Sequence, residues 1–120
     1  MARILLAEDD PTMVRLLGTL LRMEGYDVTS VDGDIDLPGS VEQLAPDALI
    51  LDMIFAGQNG LQVVEHVRQG AVGARLYILM MSGLSVREDC LRSGADDFLL
   101  KPFDPGEIMH LLHTHVHNPV

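Results

Sequence analysis

Five short apolar runs, separated by segments of helical periodicity, constrain this chain more than any other feature. They are RILLA at 3–7, DVTSV at 27–31, ALILD at 48–52, RLYILMM at 75–81 and DFLL at 97–100. Runs this apolar, taken as strands, must be covered on both faces. Between the first two, Met13, Leu16, Leu17 and Leu20 follow the i, i+3, i+4, i+7 rule of an amphipathic helix, which Gly25 ends. Gly60, Val63, Val64 and Val67 make a second such face, ending near Gly70. Ile108, Leu111, Leu112 and Val116 make the last, opened by Asp104 and Pro105. The segment DGDIDLPGSVEQLAPD is rich in turn formers and leaves only Ser40 to Leu44 to coil, and Val86 to Ser93 offers barely two turns. Strands alternating with helices predict an α/β fold, a doubly wound (βα)5 architecture around a five-stranded parallel sheet. Right-handed crossovers then place helices on both faces.

A chain of 120 residues fits one domain, expected to span 1–120. Its charge narrows the partners: 18 acids against 8 Lys and Arg leave a formal net charge of −10. That balance argues against direct binding to nucleic acid or to anionic membranes and favours cations and basic protein surfaces. The opening MARILLAEDD carries too short an apolar stretch for a signal peptide, and no run approaches a membrane span. Cys90 is single, has no internal disulfide partner and reads as a small, partly buried residue. A cytoplasmic protein is expected.

In a parallel sheet, residues just past the strand ends gather along one edge, where ligands of such folds bind. Glu8, Asp9 and Asp10 follow the first strand, Asp52 closes the third, Ser82 closes the fourth and Lys101 follows the fifth. Asp10 before Pro11 also has the form of a helix start, an N-cap acceptor with proline at the first helical position. Carboxylates crowded together repel unless one takes a proton or a cation neutralises them. With oxygen-only donors the fitting ion is hard, and Mg²⁺ with several retained waters suits such a site better than Ca²⁺. An aspartate beside such an ion can act as a nucleophile toward phosphorus, and Asp52 is the best-placed candidate. Lys101 would pair with phosphoryl oxygens and the Ser82 hydroxyl would donate a hydrogen bond to one.

The segments ILLAEDDP, LILDMIFAGQNG, MMSG and GADDFLLKPF, in this order and spacing, resemble the receiver domain of bacterial two-component response regulators over essentially the whole chain. The resemblance implies a flavodoxin-like sheet with strand order 2-1-3-4-5. It implies that Asp52 accepts a phosphoryl group from a sensor histidine kinase or phosphotransfer protein. Glu8 and Asp9 would supply the acidic Mg²⁺ site with Asp52 and the Ile54 backbone carbonyl. Ser82 and Phe98 match the switch hydroxyl and switch aromatic, Lys101 the family's lysine, and Pro102 the proline whose preceding peptide is cis. Such a domain is a phosphorelay switch rather than a turnover enzyme, its chemistry limited to its own phosphorylation and dephosphorylation. It signals to a downstream effector through the face of the fourth helix, fifth strand and fifth helix, and a phosphorylation-dependent homodimer is one outcome within the family.

The chain also departs from the pattern. Phe55 and Ala56 stand where methionine and proline are usual, and the distance from Ser82 to Gly94 is about three residues short, which removes nearly one turn from the fourth helix. A helix that short is marginal, so Leu84 to Ser93 is expected to be mobile without phosphate. In the family, the residues two after the acceptor and two after the switch hydroxyl flank the attacking water. Here they are Ile54 and Leu84, which cannot orient it, so slow self-dephosphorylation is expected. These departures motivate a second reading, a receiver-like adaptor that no longer uses phosphate. An aspartate-nucleophile phosphatase is disfavoured, because Ile54 stands where such enzymes place a second acid. Other polar signals have simpler explanations: His110, His113 and His117 as solvated helix-end residues rather than zinc ligands, His66 as a surface residue, Asp96 and Asp97 as a solvated turn, and at least one of Met80 and Met81 as core.

Overall fold

A computed structural model describes residues 1–33 and 35–116. The first strand, β1 (Arg3–Ala7), leads to α1 (Pro11–Met23), β2 (Asp27–Ser30), α2 (Leu37–Leu44) and β3 (Ala48–Asp52). A small two-stranded ribbon, Ile54–Phe55 with Gln58–Asn59, precedes α3 (Gly60–Val67). The chain continues through β4 (Tyr77–Ser82), α4 (Arg87–Ser93), β5 (Asp97–Leu100) and α5 (Pro105–His115). The five main strands form one sheet in the order β2-β1-β3-β4-β5, with every pairing parallel. This is the (βα)5 topology expected from the alternation of runs. No described helix is long and apolar enough to cross a membrane.

Side chains alternate across each strand, so the sheet divides the core in two. Leu5, Ala7, Leu49, Leu51, Ile78 and Met80 face Val41 of α2, Val63, Val64 and Val67 of α3, and Cys90 of α4. Ile4, Leu6, Ile50, Leu79 and Met81 face Leu17 and Leu21 of α1 and Ile108 and Leu112 of α5. Met80 and Met81 are both fully buried, on opposite faces, and Cys90 is fully buried rather than partly so.

The buried stripe of α1 falls one position from the expected one. Leu17, Gly18 and Leu21 are buried, whereas Leu16 is 46% exposed. With leucines at 16, 17, 20 and 21, two neighbouring stripes satisfy the helical period, and packing against the sheet selects between them. The helix α2 starts three residues before the expected Ser40, because the Asp36 carboxylate accepts a hydrogen bond from Gly39 N and Pro38 lies in the first turn, where its missing N–H costs nothing. The ribbon was not anticipated. Its two-residue turn places Ala56 at φ 56° and Gly57 at φ 71°, as a type I′ hairpin requires, and Ala-Gly lacks the Asn-Gly signature that announces such a turn. Asp96 and Asp97 are more than a solvated turn. Asp96 accepts hydrogen bonds from Ile78 N and Arg68, and Asp97 accepts from the Tyr77 hydroxyl. His66, His110 and His113 are exposed, and His117 lies outside the described residues.

Candidate functional site

Strand register assembles the site. Ala7 of β1 pairs with Leu51 of β3, so Glu8 and Asp52 emerge side by side at one edge of the sheet. Asp52 pairs with Met81 of β4, and Ser82 pairs with Leu100 of β5, which puts Lys101 at the same edge. The Lys101 amide donates to the Ser82 carbonyl at 2.7 Å, extending the ladder by one residue, and the Lys101–Pro102 peptide is cis.

The Lys101 ammonium bridges two carboxylates, with Nζ 2.6 Å from Glu8 Oε1 and 2.9 Å from Asp52 Oδ2. The Glu8 side chain is only 2% exposed, and its second oxygen accepts hydrogen bonds from the amides of Asp9 (2.8 Å) and Asp10 (3.3 Å). Burial pushes the Glu8 carboxyl above the usual carboxylate range and neighbouring Asp52 adds to the effect, while Lys101 and the Asp10 amide oppose it. Burial alone would lower Lys101, but the two carboxylates more than offset this and hold the ammonium above its ordinary value. The edge is therefore an acidic pair that already demands a positive charge and is served by one.

Asp9 and Asp10 have separate tasks. Asp10 caps α1, its carboxylate accepting from Thr12 N at 3.0 Å with Pro11 in the first turn. Asp9 is exposed, and its Oδ2 accepts a hydrogen bond from Ala56 N at the ribbon tip, 2.7 Å away. Among the described residues no three acidic, histidine or cysteine side chains converge in a preformed cation cage, because Glu8 and Asp52 are drawn to Lys101 and Asp9 to the ribbon. The donors are nonetheless all oxygen, a set that fits a hard divalent cation. Asp52 Oδ1 accepts from the Ile54 amide at 3.3 Å, while the Ile54 side chain is 57% exposed.

The hydrogen bonds of the Asp52 carboxylate go to Lys101 and the Ile54 amide rather than to the residues named as a switch. Ser82 is buried and its Oγ accepts from Leu84 N at 3.0 Å. Phe98 is buried in the core beneath a groove of about 630 Å³, whose walls include Ser85, Val86, Arg87 and Leu100. What sequence reasoning missed is the Ala56 amide. A backbone N–H has no residue-type signature, and only the hairpin brings it to Asp9.

A profile of the response regulator receiver domain matches residues 4–113. The DNA-binding dual master transcriptional regulator RpaA of Synechocystis is 36% identical over 112 residues, which cover 91% of this chain and 46% of that protein. The DNA-binding response regulator MtrA of Mycolicibacterium smegmatis is 34% identical over 110 residues, covering 89% and 47%. The chain thus spans about half the length of these curated relatives. Among solved structures, the receiver domain of sensor histidine kinase PA1611 from Pseudomonas aeruginosa, with a magnesium ion coordinated in its active-site cleft, superposes with a TM-score of 0.84. It is 32% identical, covering 95% of this chain and 96% of that one. The signal receiver domain of a response regulator from Bermanella marisrubri gives a TM-score of 0.85 at 28% identity, covering 98% and 100%. The profile match, the relatives and the sheet order agree, and the chain belongs to the response regulator receiver domain family.

Proposed function

We propose that this domain is a phosphorelay switch in which Asp52 accepts a phosphoryl group from a sensor histidine kinase or phosphotransfer protein. The observation that carries the reading is the convergence of Glu8 and Asp52 on Lys101 at the carboxyl edge of the sheet. An Asp52 carboxylate oxygen would attack phosphorus in line with the donor's P–N bond, forming an acyl phosphate as that bond breaks and the donor imidazole keeps the electron pair and takes a proton. Lys101, already 2.9 Å from Asp52, would turn its charge to the equatorial phosphoryl oxygens. Glu8, Asp9, Asp52 and the Ile54 carbonyl would hold Mg²⁺, which supplies further charge neutralisation there.

After transfer, the Ser82 hydroxyl would leave Leu84 N to hydrogen-bond a phosphoryl oxygen, and Phe98 would change its packing beneath the groove beside α4. The readout is the surface of α4, β5 and α5, offered to an effector protein or domain or to a second copy. The net charge of −10 supports a domain that does not itself grip nucleic acid. Its chemistry is limited to gaining and losing its own phosphoryl group. Incubation with MgCl₂ and acetyl phosphate, followed by intact mass measurement, should show one phosphoryl adduct in the wild type and none in Asp52→Ala. An equal adduct in the variant would refute the assignment.

A further inference from the structure

We propose that the ribbon at 54–59 is a latch on the acidic edge. Its tip amide, Ala56 N–H, holds the Asp9 carboxylate apart from Glu8 and Asp52, and occupation of that edge by a divalent cation releases it. The inference rests on the reading of this edge as an Mg²⁺ and phosphoryl site.

The ribbon touches both exposed ends of the cluster. At its base the Ile54 amide donates to Asp52 Oδ1 at 3.3 Å, and at its tip the Ala56 amide donates to Asp9 Oδ2 at 2.7 Å. The second contact is short, as expected for a hydrogen bond to an ionised acceptor. Asp9 therefore belongs to the ribbon rather than to the Glu8–Lys101–Asp52 group. A carboxylate that turns to share a cation with Asp52 must loosen that bond, so cation binding and freedom of the tip are linked.

The tip is built to aim its amide. Ala56 adopts the left-handed conformation that disfavours any residue with a Cβ, so its surroundings must hold it there. Phe55 anchors one strand in the core, Gly60 N donates to the Met53 carbonyl at 2.6 Å to close the base, and the Asn59 side chain accepts from Leu61 N to start α3. On the outside, the Ala56 methyl packs against Gly33, where a Cβ would come within 2.9 Å of it. The Gly33 position therefore offers a way to disturb the latch without altering any cation-binding side chain.

The test is an NMR titration of the wild-type protein with MgCl₂, following the Ala56 amide together with the side-chain carboxyl signals of Asp9 and Asp52. As the carboxyl signals saturate, Ala56 amide exchange should rise about tenfold with the same midpoint, the scale of one lost hydrogen bond to a charged group. By calorimetry, Gly33→Ala should bind Mg²⁺ severalfold more tightly, because its added methyl displaces the tip. Saturating carboxyl shifts with an Ala56 amide that is unchanged or better protected would overturn the latch and leave the site reading standing. Absence of any saturable carboxyl shift would instead overturn both.

Discussion

Replacing Lys101 by methionine isolates the electrostatics of the site, because methionine keeps most of the aliphatic stem and removes only the charge. The Glu8 side chain is 2% exposed, Asp52 18% and Lys101 24%. Breaking one side of a fully buried ion pair costs about 3–5 kcal/mol, whereas an exposed pair contributes at most about 1 kcal/mol. Glu8 lies near the first limit and Asp52 nearer the second, with water able to reach the mouth of the site. The variant should therefore lose about 2–3 kcal/mol at neutral pH, a fall in melting temperature of about 10 °C for a domain of this size.

The pH dependence fixes the cause. Burial already raises the Glu8 carboxyl in the folded protein, and removing the ammonium raises it further. A carboxyl raised on folding costs stability while ionised, so the penalty is present above its folded value and disappears below its unfolded one. The gap between wild type and Lys101→Met in urea denaturation should accordingly narrow as pH falls from about 7 to about 4. Glu8→Gln in the Lys101→Met background should restore most of the loss at neutral pH. If Lys101→Met unfolds within about 0.5 kcal/mol of the wild type at neutral pH, or the gap is independent of pH, Glu8 is not the buried charge described here.

Ile54→Asn should shorten the lifetime of the Asp52 phosphoryl group about tenfold, since an amide can orient the water that Ile54 cannot; mass spectrometry after donor removal measures it, and faster decay of the wild type would sink the idea. Glu42 accepts hydrogen bonds from Val72 N and Gly73 N, which hold its carboxyl below the ordinary range. Its stabilisation is present above the ordinary glutamate value and is lost as pH falls through the lower folded one, so Glu42→Gln should flatten the acid limb of a urea-midpoint profile. His115 stacks on Tyr77 at 4.7 Å and lies 3.4 Å from the Asp97 oxygen that accepts the Tyr77 hydroxyl. With two tyrosines and no tryptophan in the chain, His115→Ala should change the tyrosine emission at neutral pH by removing the stacked ring, and an unchanged spectrum would exclude this contact. Hydrogen exchange in the unphosphorylated protein should be fast across Leu84–Ser93 and fastest at the α4 N-terminus, where Val86 supplies no side-chain cap; strong, even protection would count against it.

How far the sequence could be read depended on whether periodicity had one solution or two. Val63, Val64 and Val67 leave α3 a single apolar stripe, and all three are buried as expected. In α1 the four leucines leave two stripes, and only the sheet distinguishes them. That α4 is barely two turns long was legible in the sequence, but its support was not. Arg68 donates from Nε to the Gly94 carbonyl and from Nη1 to the carbonyls of Gly73 and Leu76, and it pairs with Asp96. The short helix is thus held at its C-terminal end by the side chain of Arg68, which follows α3 and lies 26 residues away, and it has no side-chain cap at the end nearer Ser82. Fast exchange next to Ser82 is the outcome expected from that asymmetry, and a count of helix residues could not reveal it.

The site divides along the same line. That Glu8, Asp52, Ser82 and Lys101 share one edge follows from a parallel sheet, in which strand ends are collinear whatever the loops do. How the three acids are kept from repelling one another depends on partners of a different kind for each. Lys101 could be placed at this edge in advance, as a partner for phosphoryl oxygens, and in the structure its charge serves Glu8 and Asp52. Asp10 is satisfied by the amide of Thr12, which the Asp-Pro helix start already implied. Asp9 is satisfied by the Ala56 amide, whose position requires a left-handed alanine, a phenylalanine anchor and a glycine across the gap. Side-chain charges can be paired on paper once the strand order is known. Backbone dipoles can be paired only after the loops have folded, and in LAEDDP the acid whose partner was hidden is the one held by the proposed latch.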